Sequence, residues 1–155
     1  MNLQLLAQLF GFNDYCIKKN TEGLTHADSL VQPHPDGNCL NWVVGHIVAT
    51  RNLILSLLGE SAIWSDEEAE SYKRGSKPIQ DGDAARSLEK ILADFNRSQE
   101  LIINALKRMK ETDLATKIDE ETLGQKLAGL YFHETYHIGQ TGLLRRLAGK
   151  KGAIK

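Results

Sequence analysis

The sequence has few cysteines and no long apolar run. Two cysteines among 155 residues, Cys16 and Cys39, are too few for a disulfide scaffold and fit a reducing compartment, although one bridge between them is compatible with the sequence. No stretch of 18 apolar residues is present, so no transmembrane helix is expected. The amino terminus has no basic region and no small-residue cleavage site, so we expect no signal peptide and a soluble, cytoplasmic protein.

Charge of one sign is also missing, because 19 Lys and Arg residues balance 20 Asp and Glu residues. The carboxyl-terminal cations are what a helix carboxyl end favours: Arg145, Arg146, Lys150, Lys151 and Lys155. We therefore expect neither a nucleic-acid nor a membrane partner. With 41% hydrophobic and 25% charged residues, residues 1–155 have the composition of one globular domain.

Apolar residues recur at helical spacing in four segments, most clearly at intervals of seven from Leu88 to Met109. No segment makes a convincing strand. The spacing predicts an all-α four-helix bundle whose helices span 2–21, a segment capped at Asn38 or Asn41 and stopped by Gly59, 83–111, and a segment from the acidic run 119–121 to Gly149.

The connections between these helices are polar. Two prolines and an Asp-Gly pair predict a loop over 24–37. Residues 60–80 form a looser connection, in which we predict a short helical turn over 66–72.

The last helix contains four interior glycines: Gly124, Gly129, Gly139 and Gly142. Each costs about 1 kcal/mol relative to alanine. We expect close backbone packing to compensate, either within one bundle or across a dimer.

A histidine pair in the same helix carries the strongest chemical signal. His133 and His137 are four residues apart, so both imidazoles project from one face and can bind one metal ion. With Glu134 they form a literal H-E-x-x-H, the zinc-protease signature. Such proteases take their third ligand from beyond the motif, but residues 138–155 contain no Asp, Glu, His or Cys. We therefore do not predict protease activity, and a third ligand must lie upstream.

Three upstream histidines are available, and His46 alone lies inside an apolar helical segment. A buried imidazole without a partner costs about 1–3 kcal/mol, which favours a ligand role. His26 and His34 fall in the loop, where we expect them to be solvated. Gly45, beside His46, would let another helix approach closely, which suits a ligand that points into a bundle core.

These residues resemble the DinB superfamily of DinB/YfiT-like bundles. The resemblance follows helix order over almost the whole chain and rests on Trp42-x-x-Gly45-His46, His133-x-x-x-His137-x-Gly139-Gln140 and Leu143-Leu144-Arg145-Arg146. It implies up-down-down-up topology, a homodimer, and one divalent ion held by His46, His133 and His137. Its better-understood relatives are thiol-dependent S-transferases and a thiol-dependent isomerase, which use bacillithiol or mycothiol, and others are grouped as metal-dependent hydrolases.

Three neutral imidazoles leave an ion with an open coordination position, as in catalytic sites. Zn²⁺ is the favoured ion, and an all-nitrogen site also accepts Ni²⁺, Co²⁺ or Cu²⁺. We therefore predict a metal-dependent S-transferase or hydrolase acting on a small molecule, with a low-molecular-weight thiol as co-substrate for S-transfer. A non-catalytic metal-binding stress-response protein, whose ion braces the bundle, is the alternative. A helical interaction module without metal is a third interpretation.

Four further side chains have two interpretations each. Glu134 is rotated by about 100° around the helix from His133, so it is either a general base near the metal or a solvated charge on the flank. We favour the flank, and the catalytic residues stay unassigned. Trp42, Tyr131 and Tyr136 either wall a substrate pocket or belong to the core, and we favour the core.

Overall fold

The structure is a computed structural model that describes residues 2–34, 36–80 and 85–154. Four long helices dominate the described residues: α1 Leu3–Thr21, α3 Leu40–Leu57, α5 Leu88–Arg108 and α6 Leu123–Leu147. Shorter elements connect them: α2 His26–Ser29, α4 Asp66–Ala69, 3₁₀ turns at Glu70–Tyr72 and Glu111–Ala115, and two paired antiparallel strands, β1 Lys117–Ile118 and β2 Glu121–Thr122. The all-α prediction is confirmed, and one two-stranded hairpin is the exception to it.

Both long connections between the helices contain short helical elements. The loop over 24–37 contains α2, which begins with a capping box between Thr25 and Asp28. The helical turn predicted over 66–72 is confirmed by α4 and the 3₁₀ turn after it.

Helix boundaries depart from the prediction where local signals compete. The acidic run does not start α6: it makes the hairpin turn, with Asp119 at a φ of 57°, and Thr122 caps the helix instead. Helix α5, the third of the four predicted helices, ends at Arg108 rather than 111. Its predicted start at 83 lies outside the described residues, and α5 begins after Ser87.

The cap predicted for the second of the four helices, which is α3, is also wrong. Cys39 is the capping residue of α3 and makes no side-chain cap. Asn41 lies inside the helix, where its side chain donates to the Arg86 carbonyl at 2.9 Å and accepts from the Tyr72 hydroxyl at 3.1 Å. Asn41 therefore holds the α3–α5 connection against the bundle.

Apolar packing places α1 and α3 each against both α5 and α6. One buried cluster surrounds α3 and the connection after it, including Val44, Ile47, Tyr72 and Phe95. A second cluster fills the opposite end of the bundle: Leu6, Phe10, Ile54, Ile102 and Leu127 belong to it. Burial of these faces is the main favourable term in the folding of such a bundle. The up-down-down-up order stays a prediction.

Close packing accounts for one of the four glycines of α6. A Cβ at Gly124 would lie 3.1 Å from the Leu114 carbonyl oxygen, whereas one at Gly142 would make an ordinary contact of 3.6 Å with Asn20. Gly129 and Gly139 have no such neighbour within 4 Å among the described residues. Close packing within the described chain therefore explains Gly124 alone, and packing across a dimer stays a prediction for the other positions.

Both cysteines are free thiols, with Cys39 buried and Cys16 half-buried. None of the helices in the described ranges combines the length and hydropathy needed to cross a membrane.

Candidate metal centre

The fold brings three histidines from two helices together. His46 comes from α3, and His133 and His137 come from adjacent turns of α6. Each offers a ring nitrogen, and these three nitrogens lie within 4.8 Å of one another. The Nε2 atom of His133 is 3.2 Å from Nε2 of His46 and 3.2 Å from Nε2 of His137. The three residues predicted from the sequence therefore form one cluster.

Hydrogen bonds on the far side of two rings define their tautomers. The Nδ1 atom of His46 lies 2.7 Å from the Tyr72 carbonyl oxygen, which can only accept, so Nδ1 carries the proton. Likewise, Nδ1 of His137 lies 2.8 Å from Oε1 of Gln140. In the neutral rings both Nε2 atoms therefore present lone pairs toward His133.

This arrangement fits a metal ion better than it fits hydrogen bonding alone. Nε2 of His133 has at most one proton, so it can donate to only one of its two Nε2 neighbours. If Nε2 carries that proton, the lone pair of the second neighbour faces no donor; if Nδ1 carries it, both contacts join two lone pairs. A cation among the three nitrogens would relieve either arrangement. Nitrogen ligands at 2.0–2.1 Å from a tetrahedral ion are about 3.3–3.4 Å apart, near the 3.2 Å separations here.

Burial keeps the cluster in the form that binds metal. His46 is 5% exposed, and burial lowers its pKa to about 4, although the Tyr72 carbonyl opposes the shift. Burial, and after it the electrostatic interaction with His137, lower the pKa of His133 as well. Neutral imidazole is the metal-binding species, so His46 and His133 are ready to bind at neutral pH.

The His46 ring is held in place by Trp42, one helical turn earlier, and by Tyr72. The Trp42 ring stacks on the imidazole with centroids 4.7 Å apart and an interplanar angle of 10°. Trp42 in turn donates to the Ser76 hydroxyl at 2.9 Å. The expectation that another long helix approaches Gly45 is wrong, because the ring of Tyr72 from the 3₁₀ turn fills that space. The glycine therefore admits the residue whose carbonyl orients His46.

Substitution of Gly45 by alanine is expected to disturb this support. The new Cβ would overlap the Tyr72 ring and displace it. We expect Gly45→Ala to lower the free energy of unfolding by about 1–3 kcal/mol and to weaken Zn²⁺ binding by about 10–100-fold. Urea denaturation and competitive chelator titration measure the two effects. Gly11→Ala is the control, because a Cβ there has no neighbour within 4 Å in the described structure; equal effects of the two substitutions would contradict the role of Gly45.

A cavity of about 670 Å³ opens beside the imidazoles. This volume is in the range of small-molecule sites. Trp42 and Tyr136 line it, together with Asn38 and the three histidines. Oδ1 of Asn38 and Nδ1 of His133 are buried and have no hydrogen-bond partner in the described structure. The lining therefore has unused polar capacity.

The three aromatic candidates have different surroundings. Trp42 is both core and cavity wall, since it is 5% exposed and lines the cavity. Tyr136 is 61% exposed and lies 5.2 Å from the His137 ring, so the core interpretation is wrong for it. Tyr131 is half-buried and packs edge-on against Phe10 at 5.7 Å, away from the cavity lining.

Glu134 contradicts the interpretation favoured from the sequence. Its side chain is 2% exposed, not solvated on the flank. The carboxylate accepts two hydrogen bonds of 2.8 Å from Nε and Nη2 of Arg51 and one of 3.1 Å from the Asn13 amide. These bonds fix the carboxylate in the bundle interior, so it is not free to act as a general base.

Arg51 is the residue that sequence reasoning missed. It is fully buried and also donates to the Phe95 carbonyl, to Ser98 Oγ and to Gln99 Oε1. The available signal was a single charged residue inside the apolar run of α3, since a buried charge requires a partner.

The remaining histidines stay outside the cluster. His26 and His34 are both exposed, as expected. Nδ1 of His26 accepts from the Leu88 amide at 3.3 Å, at the start of α5.

The basic carboxyl terminus has structural contacts. Arg145 donates to the carbonyls of Asn20 and Glu22 at the end of α1, where a helix favours a cation. Lys150 pairs with Asp28 at 3.3 Å. Lys155 lies outside the described residues.

Comparison with known proteins gives a family and a fold. The family profile of the DinB superfamily matches residues 18–141. The crystal structure of a conserved protein from Enterococcus faecalis superposes with a TM-score of 0.74 at 20% identity, over 97% of this chain and 99% of that chain. This likeness shows the fold alone. No functionally curated protein is significantly similar in sequence.

Proposed function

This chain belongs to the DinB superfamily, and we propose that it is a metal-dependent enzyme, an S-transferase or hydrolase for a small molecule. We propose His46, His133 and His137 as the ligands of one divalent ion. The observation that carries the proposal is the meeting of three Nε2 atoms beside a 670 Å³ cavity. A closed structural site would need a fourth protein ligand, and no fourth His, Cys, Asp or Glu joins the group in the residues the structure describes.

The surrounding residues prepare the site for such an ion. The Tyr72 carbonyl and Gln140 Oε1 orient two of the imidazoles, a type of support that raises ligand basicity. Zn²⁺ is the ion we favour, and the nitrogen ligands are compatible with Ni²⁺, Co²⁺ or Cu²⁺. When bound, the ion supplies positive charge that favours the deprotonated form of a water or a thiol beside it.

Access to the cavity distinguishes this proposal from its alternative. In a non-catalytic stress-response protein, the ion would join α3 to α6 and brace the bundle without an exchangeable position. His133 and His137 are half-buried and line the cavity, which favours access from solvent.

The test uses Co²⁺-substituted protein and a neutral thiol, 2-mercaptoethanol. If the site is open, the visible absorption of Co²⁺ changes on titration with the thiol and saturates. Activity screens for thiol transfer and for hydrolysis then follow. A spectrum that ignores the thiol supports the bracing alternative and contradicts the enzyme proposal.

We further propose that the protein is a homodimer that pairs through α6. A stripe of exposed apolar side chains runs along this helix: Phe132 (72% exposed), Tyr136, Leu143 and Leu147. Gly129 and Gly139 fall on the same stripe at helical spacing, where a second helix could approach closely. Light scattering at micromolar concentration should give twice the 17.3 kDa chain mass, and Phe132→Glu should give the monomer. A monomeric wild type would contradict the proposal.

A further inference from the structure

Arg74 is a cation at the edge of the histidine cluster. It lines the 670 Å³ cavity and also a neighbouring cavity of about 430 Å³. His46 and His133 are the other two residues shared by these cavities. Arg74 therefore lies where both cavities meet the imidazoles.

Within the described residues, no counter-charge pairs with Arg74. It is exposed, and it forms no ion pair or hydrogen bond with any residue of the described ranges.

The adjacent cation, Lys73, already pairs with carboxylates. Its ammonium group lies 2.9 Å from the Glu70 carboxylate and 4.0 Å from that of Asp66. Lys73 and Arg74 therefore carry the same charge, but only Lys73 has a carboxylate partner among the described residues.

Among the described residues, one acidic residue, Asp36, lines the larger cavity. Asp36 is 95% exposed and lies 4.0 Å from His34. A carboxylate so well hydrated competes weakly for Arg74, because exposed ion pairs contribute little. The guanidinium is left for a ligand.

We propose that the substrate is a small carboxylate-bearing molecule whose carboxylate pairs with Arg74 while its reacting group faces the three histidines. This inference rests on the proposed function, because it assigns the substrate class of the same cavity. A guanidinium binds a carboxylate through two parallel hydrogen bonds. Among the described lining residues Arg74 is the one Arg or Lys, so its single charge matches a carboxylate, whereas the second charge of a phosphate dianion would meet no further cationic side chain and would lie in a lining that also contains Asp36.

The experiment compares charged and neutral versions of one probe. Co²⁺-substituted protein is titrated with mercaptocarboxylic acids of two to five methylene groups and with the corresponding mercaptoamides, and the visible spectrum gives each Kd. We expect at least one acid to bind about tenfold more tightly than its amide, since a hydrogen bond to a charged group contributes that much. Arg74→Gln should remove the preference.

Lys73→Gln is the matched control, because it removes one positive charge from the adjacent position. It should retain the preference, and so should the wild type in a repeat at constant ionic strength. If the thiols change the spectrum but no acid binds more tightly than its amide, the carboxylate inference is wrong and the proposed open site stands. If Arg74→Gln and Lys73→Gln lose the preference equally, a general charge effect replaces the Arg74 pocket. If the protein takes up no Co²⁺, both proposals fail.

Discussion

Glu134→Gln is expected to lower the free energy of unfolding by about 3 kcal/mol, because it leaves the Arg51 guanidinium buried without a counter-charge. Arg51 is fully buried and Glu134 is 2% exposed, so water cannot replace the lost carboxylate. The change is isosteric and opens no cavity, which isolates the charge. Urea denaturation monitored by circular dichroism measures the loss.

A double-mutant cycle separates the pair from its surroundings. Arg51→Met combined with Glu134→Gln should cost less than the sum of the two single substitutions, by at least about 1 kcal/mol. The control is Glu70→Gln, which removes an exposed partner of Lys73 and should change stability by less than about 1 kcal/mol. A loss of under 1 kcal/mol for Glu134→Gln, or strict additivity in the cycle, would contradict the account of this ion pair.

His137→Ala is expected to abolish the stabilisation that Zn²⁺ gives to the folded protein. A ligand at one hundred times its Kd stabilises the native state by about 2.7 kcal/mol. For a chain of this size, that corresponds to a rise in Tm of about 5–10 °C. The variant lacks one of three clustered ring nitrogens, so its Tm should not respond to the same Zn²⁺ concentration.

His34→Ala is the matched control for that experiment. His34 is exposed and lies outside the cluster, so its removal should leave the Zn²⁺-dependent rise in Tm intact. Differential scanning calorimetry with and without Zn²⁺ gives both values. An equal rise in His137→Ala and the wild type would show that Zn²⁺ binds elsewhere.

The three-histidine cluster was predictable because its signals are local. A four-residue spacing puts His133 and His137 on one helix face wherever that helix packs. His46 stands alone as a polar ring in an apolar helix, and such a residue needs a partner whatever the topology. The structure supplies what the spacing could not: the Tyr72 and Gln140 acceptors that orient the rings.

The environment of Glu134 depended on contacts between distant segments. The position of Glu134 around α6 follows from the sequence, but the residue that contacts its carboxylate, Arg51, belongs to α3 and is 83 residues away. Nothing near Glu134 in the chain distinguishes a solvated flank from a buried ion pair. Arg51 contained the missing information, because a lone charge in an apolar helix predicts a buried counter-charge.

The helix starts predicted at Asn41 and in the acidic run 119–121 were wrong for a related reason. Both sites have residues that suit a helix start, but these residues make other contacts in the structure. The Arg86 carbonyl and the Tyr72 hydroxyl occupy Asn41, and the β1–β2 hairpin takes the acidic residues into its turn. Boundary signals of about 1 kcal/mol are weaker than such tertiary contacts.

Metal content is the most direct measure of the central claim, the three-histidine metal centre. Tag-free protein, purified without nickel resin or chelator, is analysed for metals beside His46→Ala. We expect about one divalent ion per chain in the wild type and its loss in the variant. A wild type that is empty and takes up no Zn²⁺, Ni²⁺ or Mn²⁺ when these are supplied would contradict the account.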